Sequence, residues 1–378
     1  MTPHNHRTPE MNGIHVEAFQ KQNALRLTAT DFEMSIRVSL YADVKVGGQV
    51  VINPKLLIDI LNKLPGDEVS FELKHNNLLY ITSGVTSFNL AVLDGVKYPR
   101  VEMPMPGSTV AVSGISSLIA STIFAVSKEP IGEAKNKQLC CVNLTLSADG
   151  IRAAASDGRC IVETHGDREC DGNFSMLISA TAATTLASLA NDSDVFAIGV
   201  TGEGSGKTAS FYDGSLLFTA RLLNADFINV GGMFDGISAA TTLEVDAQKL
   251  REMVTGATAV AEKNDQLELS VGNGKLTLSC TTQHGKTEAS IDVPSVTDPS
   301  VMFYFSLKQF SDCVKTLKGA ATMELSKAGV LILRCGNTRY LQINQQKRVL
   351  IPKVEKAPKP KAEKKTKTVK PEKPKKAA

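Results

Sequence analysis

The chain has 378 residues, 42% apolar and 21% charged, with 28 glycines, 15 prolines and no tryptophan. That length predicts two or three domains, and the composition excludes a collagen-like repeat, a disulfide mini-protein and a wholly disordered chain. The formal net charge of +3 conceals two parts: from Pro352 onward eleven lysines face three glutamates, leaving 31 basic against 36 acidic residues before it.

No apolar run is long enough to span a membrane, and residues 1–10 lack the apolar core of a secretory signal. The seven cysteines (Cys140, Cys141, Cys160, Cys170, Cys280, Cys313 and Cys335) are odd in number, irregularly spaced and contain no C-x-x-C. They read as reduced thiols that behave as small hydrophobes, in a cytoplasmic protein. Among the histidines only His4 and His6 stand at metal-ligand spacing, in the polar terminus, so neither a metal nor a cofactor is expected.

In chain order, the first strand is expected near His15, followed by LRLTATD at 25–31 and a helix within 52–64 (INPKLLIDILNKL). Both recur: IRAAASD lies 126 residues after the first, and helix-like segments at 178–190 and 305–317 lie 126 and 127 residues apart. The apolar positions superpose as Leu57/Ala183/Phe310, Ile60/Leu186/Cys313, Leu61/Ala187/Val314 and Leu64/Ala190/Leu317, one helical stripe in each copy. Strand-like runs at 69–73, 195–200 and 323–325 follow these helices, and aromatic-bearing strands open at Phe88, Phe218 and Tyr340. Asn273-Gly274 and Asp149-Gly150 mark hairpin turns.

The second and third copies open with an extra helix, capped by Ser113 and Asp246 and striped by Ile115/Leu118/Ile119/Phe124 and Leu250/Val254/Ala257/Val260. The first copy has no room for it. The expected domains are 1–103, without opening strand and helix, 104–230 and 231–350; the Lys/Pro-rich 351–378 cannot offset the entropy of ordering and reads as a disordered tail.

Four strings in this register, LRLTATDFEMSIRV (25–38), VINPKLLIDILNKLP (51–65), FNLAVLDGVKYPRV (88–101) and AASDGRCIV (154–162), resemble the bacterial sliding clamp, the β subunit of DNA polymerase III. The resemblance spans roughly residues 11–346. It implies an α+β DNA-clamp fold: three repeated domains, antiparallel sheets outside and helix pairs inside, closing into a ring as a homodimer around duplex DNA. The implied function is that of a non-catalytic processivity factor in the cytoplasm, at the nucleoid. Its implied partners are duplex DNA without sequence choice, the polymerase catalytic subunit, an ATP-dependent clamp loader and a second copy of itself.

On this resemblance the DNA-facing residues are Lys55, Lys63, Lys249, Arg251, Lys308 and Lys315, whereas the 179–190 helix carries no charge. The partner-peptide pocket maps to Arg152, Ser156, Asp157, Gly158, Arg159, Ile161, Ile228, Met233, Ile343 and Asn344. Two departures stand there: Ile228-Asn-Val replaces the family's Pro-Asp-Tyr, and Ile343-Asn-Gln its Met-Pro-Met. The dimer seam maps to Phe88 and Leu90 against Ala259 and Val260.

Two other readings remain. One is an oligomeric β-rich binding scaffold with no role on DNA. The other is a nucleotide-binding enzyme using Gly202-Glu-Gly-Ser-Gly-Lys207-Thr208, which looks like a phosphate loop but has threonine at 201 and a strand pattern where a helix should follow. That segment is expected at a hairpin tip.

Overall fold

The computed structural model describes residues 8–132, 135–166, 172–259, 261–262, 265–294 and 301–348. The basic tail, His4, His6, Cys170 and Val260 lie outside the described residues.

Three units follow one another. The first contains β1 (Ile14–Phe19), β2 (Ala24–Thr30), β3 (Met34–Tyr41), β4 (Gly48–Ile52), α1 (Pro54–Leu61), β5 (Ser70–Lys74), β6 (Leu78–Ser83), β7 (Thr86–Ala91) and the short β8 (Leu93–Asp94). The second contains β9 (Val110–Val112), α2 (Ile115–Thr122), β10 (Cys141–Ser147), β11 (Gly150–Ser156), β12 (Cys160–His165), β13 (Phe174–Ser179), α3 (Ala180–Leu189), β14 (Phe196–Thr201), β15 (Thr208–Tyr212) and β16 (Leu216–Arg221). A short helix, α4 (Val230–Asp235), links it to the third. There β17 (Thr241–Asp246), α5 (Ala247–Thr258), β18 (Gln266–Gly272), β19 (Lys275–Thr282) and β20 (Gly285–Asp292) precede β21 (Val301–Ser306), α6 (Leu307–Thr316), β22 (Ala320–Ser326), β23 (Val330–Cys335) and β24 (Thr338–Ile343).

Sequence chemistry explains why strand turns directly into helix at four of these places. Asn53 after β4, and the last residues of β13, β17 and β21 (Ser179, Asp246 and Ser306), each accept backbone N–H bonds of the first turn of α1, α3, α5 and α6. A polar side chain thus satisfies donors that the helix leaves unpaired. The expected Ser113 cap on α2 is not formed. Gly114 occupies that position at φ +73°, and the carboxylate of Asp192, from the loop after α3, accepts from the Ser117 backbone N–H at 2.9 Å. A distant residue supplies the cap because the left-handed glycine turns the chain before Ser113 can reach it. Asn273 and Gly274, both at positive φ, join β18 to β19 as expected. At the other expected turn Gly150 already belongs to β11, paired with Ser147.

Every strand pairing is antiparallel, and the sheets run across the units. One nine-stranded sheet has the order β8-β4-β1-β2-β3-β16-β15-β14-β9, so units one and two join at β3–β16. An eight-stranded sheet, β13-β10-β11-β12-β24-β23-β22-β17, joins units two and three at β12–β24. There are two shorter sheets, β20-β19-β18-β21 and β5-β6-β7; among the described residues no further strand pairs with β20, β5 or β7, whereas the outer edge of β21 is met at Tyr304 by Asn344 and Gln345.

Helices pair within units: α2 packs on α3, and α5 on α6. The unit-two core includes Met34 from unit one. The largest core belongs to unit three but takes in Ala155, Cys160 and Val162 from unit two. Unit one has a small core built on Val16, Ile52, Leu57 and Ile81. Among the described residues no helix packs on α1, and Leu56, Ile58 and Leu61 are 46%, 55% and 41% exposed.

Candidate functional sites

At the seam of units two and three, strand alternation sorts side chains onto two faces. Ala155, Cys160, Val162, Leu331, Leu333 and Tyr340 point into the shared core. The other face follows from the register: Arg152, Ala154 and Ser156 on β11 stand opposite His165, Glu163 and Ile161 on β12. Glu163 and Ile161 in turn face Arg339 and Leu341 on β24. The linker helix α4 and its approach cover part of this face. Ala154, Ile161, Val230, Phe234, Ile332 and Leu341 form one buried cluster, with Phe227, Ile228, Ile237 and Val330 packed at its margin. The result is an apolar patch with a charged end.

The charged end centres on Glu163, whose side chain has no exposed surface. Arg152 Nη1 lies 3.1 Å and His165 Nε2 3.4 Å from its carboxylate, and Arg339 Nε donates to it. Burial alone would raise this carboxyl's pKa. The bonds from His165 and Arg339, with the charges of Arg339 and Arg152, outweigh burial and hold it below the ordinary glutamate value. Arg339 also lies over the Phe234 ring, 4.5 Å from its centroid, so one guanidinium joins β12, β24 and α4.

The structure divides the ten expected pocket residues. Arg152, Ile161 and Ile228 share the patch, with Met233 on α4 and Ile343 at the end of β24 exposed at 43% and 48%. Ser156, Asp157, Gly158 and Arg159 build the β11–β12 turn. Ser156 Oγ donates to the Cys160 carbonyl and accepts from Gly158 N–H, while one Asp157 oxygen accepts from the N–H groups of Arg159 and Cys160. The other Asp157 oxygen accepts from Gln309 on α6. Asn344 is turned towards β21, accepting from Tyr304 N–H at 2.7 Å.

Sequence reasoning missed Glu163, Arg339, Phe234 and Leu341. The usable signal was parity: Glu163 is two residues from Ile161 and shares its face.

Of the expected DNA-facing side chains, Lys55, Lys63, Lys249, Lys308 and Lys315 are exposed on or just after α1, α5 and α6. Arg251 is half-buried and donates to the Leu317 carbonyl at 2.8 Å, bridging α5 to the end of α6. Lys308 and Lys315 both pair with Asp312. Unit two departs from the others, because neither α2 nor α3 carries a charged residue.

For the expected seam between copies, Phe88 and Leu90 alternate with exposed neighbours on β7 and are themselves half-buried; both stand opposite β6 residues, and Leu90 packs on the unit-one core. Ala259 is exposed just after α5, which packs on β20; Val260 falls outside the described residues. The 202–208 segment is a hairpin tip between β14 and β15, with Thr201 opposite Thr208 and a strand following. Among the described residues no helix is long and apolar enough to cross a membrane, and no cluster of metal-ligating side chains occurs.

Comparison with known proteins fits this geometry. The profile of the DNA polymerase III beta subunit, N-terminal domain, matches residues 3–102. The beta sliding clamp of Staphylococcus aureus is 24% identical over 327 residues, covering 82% of this chain and 83% of that one. That of Micrococcus luteus is 28% identical over 283 residues, covering 72% and 86%. Among solved structures, the DNA polymerase sliding clamp from Bacillus subtilis superposes with a TM-score of 0.79 at 20% identity, covering 92% of this chain and 94% of that one. The DNA polymerase III subunit beta from Pseudomonas aeruginosa gives 0.76 at 19%, covering 90% and 94%. Three units, sheets continuous across their junctions and paired helices are the fold these proteins share: this chain has the sliding-clamp fold, and its residues 3–102 match the N-terminal-domain profile of the DNA polymerase III beta subunit.

Proposed function

We propose that the chain acts as a processivity factor: two copies close head to tail into a ring around duplex DNA and tether the polymerase catalytic subunit to it. The observation that carries this reading is a junction used twice. β3, which closes the meander β1–β2–β3 of unit one, pairs with the last strand of unit two, β16; β12, which closes the meander β10–β11–β12 of unit two, pairs with the last of unit three, β24. In the same places stand β20, which closes the meander β18–β19–β20 of unit three, and β7, which ends the three-stranded sheet of unit one; both end a sheet with no further strand pairing among the described residues. Unpaired edges invite another strand, and a head-to-tail contact whose rotation closes gives a ring.

Each edge has its backbone groups ready. β6–β7 and β19–β20 turn through two-residue loops, Gly84-Val85 and Gln283-His284, which fixes the alternation of ladder bonds. The N–H and C=O groups of Ser87, Asn89 and Ala91, and of Lys286, Glu288, Ser290 and Asp292, then face outward. The seam is thus a backbone ladder, with Leu90 supporting it from the unit-one core, Phe88 half-buried on the same strand and Ala259 beside it.

In such a ring Lys55, Lys63, Lys249, Lys308 and Lys315 on the helices face the phosphates, a contact without sequence information that permits sliding. The apolar patch between units two and three takes a short apolar segment of the polymerase and other partners, and an ATP-driven loader opens the ring, in the cytoplasm at the nucleoid. The test is retention on DNA after loading. Protein should stay on nicked circles through a high-salt wash and leave when the circle is cut once; equal loss from circular and cut DNA overturns encirclement.

A further inference from the structure

We infer that the seam of units one and two carries an anion-binding site, Arg26 with Arg37, on the sheet face away from the helices, and that it takes a carboxylate from an acidic peptide segment of another protein. This goes beyond the proposed ring; only the choice of a protein partner over a nucleic acid draws on that reading.

The two seams share one register, so their residues match position by position. Arg37 on β3 stands opposite Thr28 on β2 and Leu217 on β16, as Glu163 on β12 stands opposite Ala154 on β11 and Arg339 on β24. Arg26, opposite Ser39, takes the place of Arg152, opposite His165. Both arginines lie 126 residues before their counterparts. The chemistry at these matched positions is inverted. At the second seam a buried carboxylate sits among Arg152, His165 and Arg339. At the first seam an arginine holds the central position, a second arginine is diagonal to it, and Leu217 and Ser39 replace the other two bases. The first seam therefore keeps basic groups and lacks the acid that joins them.

The fold supplies no substitute for that acid. The Nε atoms of Arg26 and Arg37 are buried without a hydrogen-bond partner, and among the described residues neither side chain forms an ion pair. Glu17, opposite Arg26 on β1, lies 3.9 Å from His15 Nδ1 instead. Burial and the charge of Arg26 hold Arg37 below the ordinary arginine value, with the charge of Glu17 opposing them. The guanidinium of Arg26 lies over the Phe19 ring, 4.6 Å from its centroid, a contact that orients it but accepts no hydrogen bond. Charged donors left without an acceptor are costly, and a bound anion relieves that cost. Both side chains are only half-buried, so an anion can reach them from solvent.

Charge and place select the ligand. Two guanidinium groups beside the single carboxylate of Glu17 leave one surplus positive charge, which one carboxylate neutralises. The planar fork of arginine suits a carboxylate, and Glu163 occupies the matching position of the other seam. Leu25 and Leu27, on either side of Arg26, pack on the core that holds Leu57 of α1. Ile36 and Val38, on either side of Arg37, pack on the core that holds α2 and α3. The arginines thus face away from the helices, and a duplex lying along the helices is on the far side of the sheet.

The experiment titrates a labelled Glu-Ala-Glu-Ala-Glu peptide with the full chain at low salt and reads anisotropy. The unaltered chain should bind it, and an unlabelled Gln-Ala-Gln-Ala-Gln peptide should not compete. Arg37→Glu restores an acid at the centre, as in the other seam, and Arg26→Gln removes one cation; each should weaken binding about tenfold or more. Lys327→Glu, in the exposed turn between β22 and β23, makes the same change of charge elsewhere and should leave the affinity unaltered. No binding by the unaltered chain overturns the inference, as does an equal affinity in all four chains or an equal loss in Lys327→Glu. A short oligothymidylate is titrated in parallel: if Arg37→Glu abolishes its binding and spares the peptide's, the acidic protein partner is overturned in favour of a nucleic acid. Arg37→Glu should also raise the urea midpoint, because an ion pair replaces a like-charge pair; a lower midpoint overturns the claim that these arginines lack a counter-ion. Retention on nicked circles should be the same in Arg37→Glu and the unaltered chain, so failure of the ring reading is read separately from failure of this site.

Discussion

Glu163 has no contact with solvent and three basic side chains around it, drawn from β11, β12 and β24. Neutralising it removes charge-assisted bonds, while the basic partners, 39%, 45% and 21% exposed, keep access to solvent. Glu163→Gln should cost about 2 kcal/mol of stability at neutral pH, read as a lower urea midpoint with unchanged slope. The pH dependence has a fixed sign. The folded carboxyl lies below its ordinary value of 4.5, so its contribution is complete above that value and fades as pH falls through the lower, folded value. The glutamine variant should lack that part of the acid limb, seen as a smaller drop in stability below about pH 4.5. At the same scale, Asp246→Ala removes the α5 cap and should cost about 1 kcal/mol, whereas Asp246→Asn should recover most of it. That cap was legible in the sequence because it precedes its helix directly. The Glu163 cluster was not, since Arg339 lies 176 residues away and becomes a neighbour only through the β12–β24 ladder. The Asp192 cap on α2 escaped for the same reason, reaching Ser117 across 75 residues.

Elements were easier to read than contacts. The periodic stripe at 126-residue spacing marks α1, α3 and α6, because packing forces the same apolar positions in each copy: Leu57, Ala183 and Phe310 are all buried. Pairing across units has no such local signature; nothing in the composition of β3 or β16 names the other as its neighbour. The free edges of β7 and β20 carry the clearest prediction at this scale. Asn89→Pro removes one outward N–H from β7 without touching the inward ladder to β6, and Ser290→Pro does the same on β20. Either variant should sediment as monomer at concentrations where the unaltered chain is dimeric, with far-ultraviolet dichroism unchanged. A dimer of undiminished stability in both would place the contact elsewhere.

Across the whole molecule the units are unequally held. Units two and three share a core, whereas unit one relies on a small cluster and exposes three apolar side chains of α1. Local opening follows local packing. Amide exchange should be fastest in α1 and β5 and slowest in β18, β19 and β23, a ranking that mass-resolved hydrogen exchange on the full chain can check. Charge is likewise unequal, and the net +3 hides the acidic body and basic end that sequence counting separates. What counting could not give was their geometry, because which face a lysine occupies depends on the fold around it.

The β12–β24 ladder has a mechanical consequence. It is backed by side chains on both faces and bridged by a covalent link through α4. Pulling on this junction would have to shear a packed seam, with every ladder bond loaded at once. A β7–β20 seam between copies has no peptide crossing it and could peel one bond at a time from its end. Under the same force the two kinds of junction would fail at very different loads, so in the proposed ring the weakest link would be set by connectivity as much as by the number of hydrogen bonds.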